Sequence, residues 1–275
     1  MASLRDTPAF SSLPVRTLTG VVWAGALAGA LFIRSPLGIG LLLGIVGASA
    51  LAELYRIVLD APLSAAEFIG LGGTAALPAA AALGGVHGVL IALALTVVAS
   101  AVWHVRSSAR TTTQLAVVVF GVVYVGATLS HFVLVRSLDT GIVLALAVLV
   151  SVWASDVLAY LVGSLIGTHK MAPRISPKKS WEGFVAGTAG TVAVWLALPL
   201  VAETALSLAW RGVLGIVVAL AAVLGDLLES RIKRAAGVKD SGTVLPGHGG
   251  FLDRIDSLLL VSVAAYYLLL AAGLR

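Results

Sequence analysis

Acidic residues recur at helical spacing in the last quarter of the chain. Asp226, Glu229 and Lys233 are spaced i, i+3 and i+7, so on a helix they share one face. Asp253 and Asp256 are also three residues apart, at the start of the last apolar segment. Two carboxylate pairs on two helix ends can converge on a hard cation, and Mg²⁺ prefers carboxylate oxygens and usually binds together with substrate phosphates. The spacing therefore indicates phosphate chemistry at a metal site.

The segment between the two acidic pairs is rich in glycine and in basic residues. Gly247, Gly249 and Gly250 allow the backbone to approach a phosphate group closely. The basic side chains of this segment and its borders are Arg231, Lys233, Arg234, Lys239 and Arg254. The alternative is a solvated loop whose charges only anchor helix ends, and for Arg231 and Arg234 taken alone both interpretations stay open. Anchoring of helix ends does not explain Asp226 well, because ionisable residues inside a span are costly and usually functional.

A second polar stretch begins inside an apolar segment. Asp156 lies well inside that segment, and Tyr160 follows one helical turn later on the same face. An unpaired aspartate in a membrane costs a few kcal/mol at least, so it requires a partner, an ion or a water-filled cavity. The loop after the segment offers phosphates the side chains of Ser176, Lys178, Lys179 and Ser180. Trp181, at the end of this loop, suits an aromatic anchor at the membrane interface and a base-stacking platform equally well.

The elements that must position these residues are apolar. Hydrophobic residues make up 59% of the chain and charged residues 11%, whereas a soluble domain carries about 25% charged residues. The lipid bilayer is therefore the expected solvent. The absence of cysteine excludes disulfides, cysteine zinc sites and thiol catalysis. The net charge of +5 suits an anionic membrane surface or a phosphate substrate. Nucleic acid is not an expected partner, because the apolar segments leave few residues for a binding domain.

Nine segments are long and apolar enough to predict transmembrane helices, since a span requires about 20 mostly apolar residues. They cover residues 16–34, 37–58, 67–84, 87–104, 114–135, 140–166, 183–201, 206–229 and 257–273. The predicted fold class is thus an all-α membrane protein. Residues 1–15 form a polar tail, residues 16–135 an N-terminal set of helices, and residues 136–275 a C-terminal catalytic transmembrane domain. The first segment resembles a signal peptide, but the apolar segment that follows almost at once favours an uncleaved helix.

The basic residues predict how the chain is oriented in the membrane. With nine spans, all Lys and Arg residues lie on the side of the N-terminus except Arg34, Arg136, Arg211 and Arg275. Positively charged loops stay in the cytoplasm, so the N-terminus is predicted to be cytoplasmic and the C-terminus outside. In a cell (inner) membrane, the polar loops 167–182 and 230–256 then face the cytoplasm. The active site is predicted there, at the cytoplasmic ends of the C-terminal helices.

The polar motifs resemble those of one enzyme family. Residues 230–234, Lys239-Asp240 and residues 246–256 are similar, nearly residue for residue, to the signature of phosphatidate cytidylyltransferases. Residues 156–163 and 175–183 look like the other motif of that family. The sequence shows no departure within these motif residues.

This resemblance is specific over residues 140–275, and before them it rests on hydropathy and on Glu53 near the end of a span. It implies an all-helical membrane protein that forms homodimers and uses one or two Mg²⁺ ions. It also implies that Asp226 and Asp253 are the metal-site carboxylates. The implied reaction is attack by the phosphate of phosphatidic acid on the α-phosphorus of CTP, which gives CDP-diacylglycerol and releases pyrophosphate.

The resemblance and the residue types together assign roles in this reaction. Both reactants are polyanions, so catalysis rests on charge neutralisation and positioning, and the anionic attacking oxygen needs no general base. The predicted metal ligands are Asp226, Asp253, Asp256 and Asp240. The predicted catalytic residues are Asp226, Asp253, Lys233, Asp256 and Lys239. The predicted substrate-binding residues are Lys178, Lys179, Ser176, Ser230, Arg234, His248, Gly249, Gly250, Asp156 and Tyr160, with His248 as a hydrogen-bond donor to phosphate.

Two other kinds of protein stay open at this point. A membrane enzyme that acts on another lipid, such as a CDP-archaeol synthase or a polyprenol kinase, shares the chemistry. A transporter also has many spans and intramembrane acids, but transporter sites usually lie near the midplane between repeated halves. The sequence shows no repeated halves, and its charges crowd into two loops on one side. CTP binding distinguishes an enzyme from a transporter, and product analysis distinguishes the enzymes from each other.

Overall fold

A computed structural model describes residues 20, 22, 25–59, 63–107, 111–242, 244 and 249–275. Within these residues, seven helices are long and apolar enough to cross a membrane. They are α1 (Pro36–Leu59), α2 (Ala65–Arg106), α3 (Thr112–Arg136), α4 (Gly141–Ile166), α5 (Trp181–Leu200), α6 (Leu208–Ala235) and α7 (Leu252–Ala271). An antiparallel hairpin of β1 (Lys170–Ala172) and β2 (Ser176–Ser180) connects α4 to α5. The chain is therefore an all-α membrane protein with one small hairpin added to it.

Large apolar side chains cover the outside of the helix bundle. Leu83, Leu165 and Leu200 belong to a large set of apolar side chains that are mostly exposed. A soluble protein rarely exposes contiguous apolar patches of more than a few hundred Å². In hydrocarbon the same surface is well solvated, and the helices satisfy their own backbone hydrogen bonds. The exposed surface therefore matches a lipid environment.

The long helix α2 reverses direction in its middle. Gly85 has φ 57° and ψ −145°, which is not helical, and a positive φ of this kind favours glycine. A Cβ atom on Gly73 would lie 2.8 Å from the Cβ atom of Thr96, so the halves of α2 pack against each other. The predicted spans 67–84 and 87–104 fall in these two halves.

The first predicted span cannot be compared in the same way. Residues 25–31 are helical and precede α1. Most of the predicted span 16–34, and the whole tail 1–15, lie outside the residues that the structure describes. The count of nine transmembrane helices therefore stays a prediction.

Besides α2, two of the seven helices are not α-helical throughout. The helix α3 has a π-helical turn at Val122–Ala127 between its α-helical parts Thr112–Gly121 and Thr128–Arg136. The helix α5 is α-helical over Trp181–Ala197 and ends in a 3-10 turn at Leu198–Leu200. Turns of the π type are rare and often lie at functional sites. The one in α3 carries Tyr124, which is buried.

Glycines allow the C-terminal helices to approach one another closely. A Cβ atom on Gly187 of α5 would lie 2.9 Å from the carbonyl oxygen of Ser155 in α4. A Cβ atom on Gly225 of α6 would lie 2.5 Å from the carbonyl oxygen of Asp256 in α7. Small residues at such contacts let membrane helices pack backbone against backbone. At Gly225 this contact brings the polar ends of α6 and α7 together.

Candidate active site

Three carboxylates from two helices converge where α6 and α7 meet. Asp226 and Glu229 lie one turn apart on α6, and Asp256 lies in the first turns of α7. Each offers one carboxylate oxygen, and these oxygens all lie within 4.8 Å of one another. Glu229 is 1% exposed, and its Oε1 atom is buried without a hydrogen-bond partner among the described residues. These three residues are called the carboxylate cluster below.

The donor set of the carboxylate cluster fits a hard divalent cation. Its ligand atoms are all carboxylate oxygens, which suit Mg²⁺ better than softer metals. Buried carboxylates that lie this close repel one another unless a cation or a proton neutralises them. The unpartnered Glu229 oxygen is such an unsatisfied acceptor, and a buried unsatisfied group of this kind is destabilising.

Two lysines compensate part of the negative charge. Lys179 of β2 forms an ion pair with Asp226, with 2.7 Å between Nζ and Oδ2. The Nζ atom of Lys233 lies 2.6 Å from Glu229 Oε2 and 2.5 Å from Asp253 Oδ1. Lys233 was predicted to be a catalytic residue. In the structure it is buried between two carboxylates and links α6 to α7, and its catalytic role stays a prediction.

Asp253 lies beside the carboxylate cluster, and other contacts occupy its oxygens. Besides Lys233, it accepts hydrogen bonds from the backbone N–H of Gly250 at 2.8 Å and from the backbone N–H of Ser241 at 3.1 Å. The Ser241 hydroxyl lies 3.0 Å from Asp253 Oδ2. Of the four predicted metal ligands, the carboxylate cluster thus contains Asp226 and Asp256, whereas Asp253 and Asp240 lie outside it.

A cavity of about 320 Å³ opens next to Asp226. The predicted site residues among its lining are Asp156, Tyr160, Ser176, Lys178, Lys179 and Asp226. The rest of its lining is mostly small or apolar and includes Met171, Phe184, Ala222 and Val223. Residues of both predicted motifs therefore line one cavity, together with apolar side chains.

The hairpin that carries Lys178 and Lys179 is fixed at its base. The Glu182 carboxylate lies 2.5 Å from His169 Nδ1 and accepts the Thr168 hydroxyl at 2.9 Å. The backbone N–H of Trp181 donates to the His169 carbonyl at 2.9 Å. These contacts join the two ends of the hairpin at the start of α5. Trp181 itself is 52% exposed, so both of its predicted roles stay open.

The remaining predicted residues lie around the ends of α6 and α7. The Ser230 hydroxyl donates to Asp226 Oδ1 at 3.1 Å, and Arg234 donates to the Val238 carbonyl at 2.9 Å. Gly249 has φ 78°, which only glycine adopts readily. Lys239 and the predicted metal ligand Asp240 are exposed. Gly250 donates its backbone N–H to Asp253, as described above. His248 lies outside the residues that the structure describes.

Two acidic residues at the site were not among the predicted site residues. The sequence placed Glu229 in a carboxylate pair with Asp226 that could bind a cation, but Glu229 was not one of the four predicted metal ligands. Glu53 of α1 accepts hydrogen bonds from the backbone at the start of α7. Its only sequence signal was a carboxylate near the end of an apolar segment, since the contact joins residues 199 positions apart.

The fold and the site together define a multi-pass membrane protein in which a carboxylate cluster and a basic hairpin share one cavity. The family model described as the cytidylyltransferase family matches residues 14–272. The chain therefore belongs to the cytidylyltransferase family.

Several curated relatives are named phosphatidate cytidylyltransferase. The protein from Mycobacterium tuberculosis is 47% identical over 124 residues, which cover 44% of this chain and 37% of the relative. The protein from Bacillus subtilis is 38% identical over 148 residues, 54% of this chain and 55% of the relative. The protein from Thermotoga maritima is 43% identical over 149 residues, 52% of this chain and 55% of the relative. The chain thus matches between about a third and just over half of the length of these relatives.

Proposed function

We propose that this protein transfers the cytidylyl group of CTP to phosphatidic acid, and so supplies CDP-diacylglycerol for phospholipid biosynthesis. Membership of the cytidylyltransferase family and relatives named phosphatidate cytidylyltransferase support the proposal. The observation that carries it is the shared cavity, which Lys178, Lys179 and Asp226 line together with apolar side chains. A nucleotide and a lipid phosphate need such a combination, because one reactant is fully polar and the other is amphiphilic.

The charges around the cavity suit a reaction between two polyanions. An anionic oxygen of phosphatidic acid forms a bond to the α-phosphorus of CTP, and the bond from that phosphorus to the bridging oxygen of the β-phosphate breaks. The leaving pyrophosphate takes the bonding electrons, and no proton has to be removed from the nucleophile. Lys178, Lys179 and Ser176 line the cavity and would hold phosphate oxygens. Fixed positive groups of this kind stabilise charge that develops in the transition state.

Magnesium is the proposed cofactor. Asp226, Glu229 and Asp256 would hold the ion, because their oxygens converge and one of them is buried without a partner. Asp253 and Asp240 would belong to its surroundings, and the number of ions is one or two. When bound, Mg²⁺ would neutralise negative charge on the phosphates of CTP.

The proposed topology has nine spans, a cytoplasmic N-terminus and the cavity on the cytoplasmic side of a cell membrane, where CTP is available. The distribution of Lys and Arg supports this orientation. Lys179 joins the hairpin to the C-terminal part of α6, and Glu53 joins the C-terminal part of α1 to the start of α7. These contacts support placing all four elements on the same side of the membrane. A homodimer in the bilayer is proposed from the family resemblance.

The deciding experiment is product analysis with purified protein in lipid nanodiscs, phosphatidic acid, radiolabelled CTP and Mg²⁺. The expected products are CDP-diacylglycerol and pyrophosphate, formed by the wild type and not by Asp226→Asn. Parallel reactions contain an archaeal ether-lipid phosphate or a polyprenol in place of phosphatidic acid. Product from one of these alone would assign the other lipid enzymes, and CTP binding without any product would contradict the proposal.

A further inference from the structure

The side chain of Glu53 connects α1 to the start of α7. Glu53 is 3% exposed. Its Oε1 atom accepts the N–H of Phe251 at 3.0 Å, and its Oε2 atom accepts the N–H of Leu252 at 2.9 Å. Its Oε2 atom also lies 3.0 Å from the Ser241 hydroxyl. One carboxylate from the N-terminal half of the chain thus binds the segment that connects α6 to α7 at Ser241 and again at the start of α7.

These contacts supply a helix cap that the local sequence lacks. The first N–H groups of a helix have no partner within the helix, and a nearby Ser, Thr, Asp or Asn side chain usually accepts from them. The N-cap of α7 is Phe251, whose side chain makes no capping hydrogen bond. A carboxylate at a helix N-terminus is favoured by the partial positive charge there, and its hydrogen bonds are strong because it is charged. Glu53 therefore caps α7 from another helix.

The capped turn of α7 is the one that carries the site acids. Asp253 and Asp256 lie one and four residues after Leu252, the first residue of α7. The Ser241 hydroxyl lies 3.0 Å from both Glu53 and Asp253, so its single proton is shared between two carboxylates. A shift of Glu53 would therefore move both the backbone of the first turn and the partner of Asp253.

The backbone around Glu53 is shaped to let the carboxylate in. A Cβ atom on Gly242 would lie 2.8 Å from Glu53 Oε1, and a Cβ atom on Gly250 would collide with Glu53 and Ser241. Glycine at these two positions therefore leaves room for a side chain that comes from α1. Both glycines lie within the segment that connects α6 to α7, so Glu53 contacts that segment at two separate points.

We infer that Glu53 is a positioning residue of the active site, which sets the distance between the first turn of α7 and Asp226 and Glu229 of α6. The expected effect on kcat rests on the proposed function. The expected effect on the start of α7 rests only on the hydrogen bonds of Glu53. Glu53 makes no contact with substrate in this role and acts through Asp253 and Asp256. Displacement of reacting groups by about 1 Å can lower a rate by about 100-fold, so the effect should appear in kcat.

The test compares Glu53→Gln with a matched control, Glu67→Gln. Glutamine keeps the size of the side chain, but its NH₂ group must face one of the donors that the carboxylate accepted. Glu67 is also buried, and it accepts hydrogen bonds from Ser64 and Gln114 at the starts of α2 and α3. Both variants therefore remove one acceptor oxygen from a buried cap, but only Glu53 adjoins α7.

The expected result is a fall in kcat of about 10- to 100-fold for Glu53→Gln, with KM for CTP within about 3-fold of wild type. Hydrogen exchange of a peptide covering residues 249–256 should become at least about 10-fold faster in this variant. Glu53→Asp, which is one methylene shorter, should recover little activity, because it cannot reach both N–H groups. Glu67→Gln should keep the wild-type kcat and the wild-type exchange rate of that peptide, even if its Tm falls as far as that of Glu53→Gln.

Two outcomes would overturn the inference, and a third would separate it from the proposed function. Wild-type kcat and wild-type exchange in Glu53→Gln would overturn it. Loss of activity in both variants in proportion to their loss of Tm would also overturn it, since Glu53 would then be a purely structural residue. If the wild type makes no cytidylyl product, the proposed function fails, and exchange of the 249–256 peptide alone decides whether Glu53 holds α7.

Discussion

Lys179 Nζ and Asp226 Oδ2 lie 2.7 Å apart, and this ion pair joins the β-hairpin to α6. The two residues come from the two motifs that the sequence separates by almost fifty positions. Both side chains are partly exposed to the cavity that they line. A lysine in this position can neutralise either the carboxylate or an incoming phosphate, so loss of Lys179 should lower activity.

Replacing Lys179 by alanine should lower kcat/KM for CTP. Loss of a hydrogen bond to a charged group costs about 1.5–3 kcal/mol, which corresponds to a fall of about 10- to 100-fold. Lys179→Arg should restore activity only in part, because a planar guanidinium and a compact ammonium differ in geometry. The matched control is Lys170→Ala in the same hairpin, whose ammonium donates to the Gly167 carbonyl. Full rescue by arginine with an unchanged KM would assign Lys179 to membrane anchoring instead.

Glu229→Gln and Asp256→Asn should each raise the Mg²⁺ concentration needed for half-maximal activity. Both changes keep the shape of the side chain and remove a charge from the carboxylate cluster, so an increase of at least about 10-fold is expected. A Mg²⁺ titration of cytidylyl transfer measures it. Asp139→Asn is the control, since Asp139 is exposed between α3 and α4 at the other end of these helices. An unchanged Mg²⁺ dependence in both cluster variants would show that the carboxylate cluster is not the metal site.

Gly225→Ala should destabilise the protein, whereas Gly212→Ala on the same helix should not. A Cβ atom at position 225 would lie 2.5 Å from the Asp256 carbonyl oxygen, and nothing lies within 4 Å of a Cβ atom at position 212. Overpacking typically costs about 1–3 kcal/mol, and alanine at an open helical site can stabilise by up to about 1 kcal/mol. Thermal unfolding in detergent compares the two. Equal melting temperatures would mean that α6 and α7 pack less tightly than described.

Cysteine labelling tests the proposed orientation, because the native chain has no cysteine. Arg174→Cys in the β-hairpin and Glu203→Cys between α5 and α6 are both at exposed positions. In intact cells, a membrane-impermeant maleimide should label position 203 and leave position 174 unlabelled until the cells are broken. The reverse pattern would invert the topology and place the cavity outside.

The helices could largely be predicted from hydropathy, and the site only in part. The Gly84-Gly85 pair separates two predicted spans, and the structure reverses direction there. The pairing of Asp226 with Glu229 could be predicted, because helical spacing fixes which side chains share a face. The hairpin was not predicted, because strands of three and five residues are too short to show a clear alternation.

The contacts of Glu53, Asp253 and Lys233 could not be predicted for a different reason. Each depends on which helix ends become neighbours, and that follows from packing between segments far apart in the sequence. Glu53 lies 199 positions before Leu252, the residue whose N–H it accepts. The contacts of Lys233 with two carboxylates were likewise not indicated by the sequence, because a lysine charge suits a carboxylate and a phosphate equally.

The reversal at Gly85 has a consequence for the way the chain enters the membrane. The turn at Gly84-Gly85 has no charged side chain and almost no length. Neither half of α2 can therefore cross the bilayer while the other stays behind, since the turn is too short to let them separate. Insertion of residues 65–106 should be a single event, in which two apolar helices enter as a closed pair and no polar segment has to be carried across.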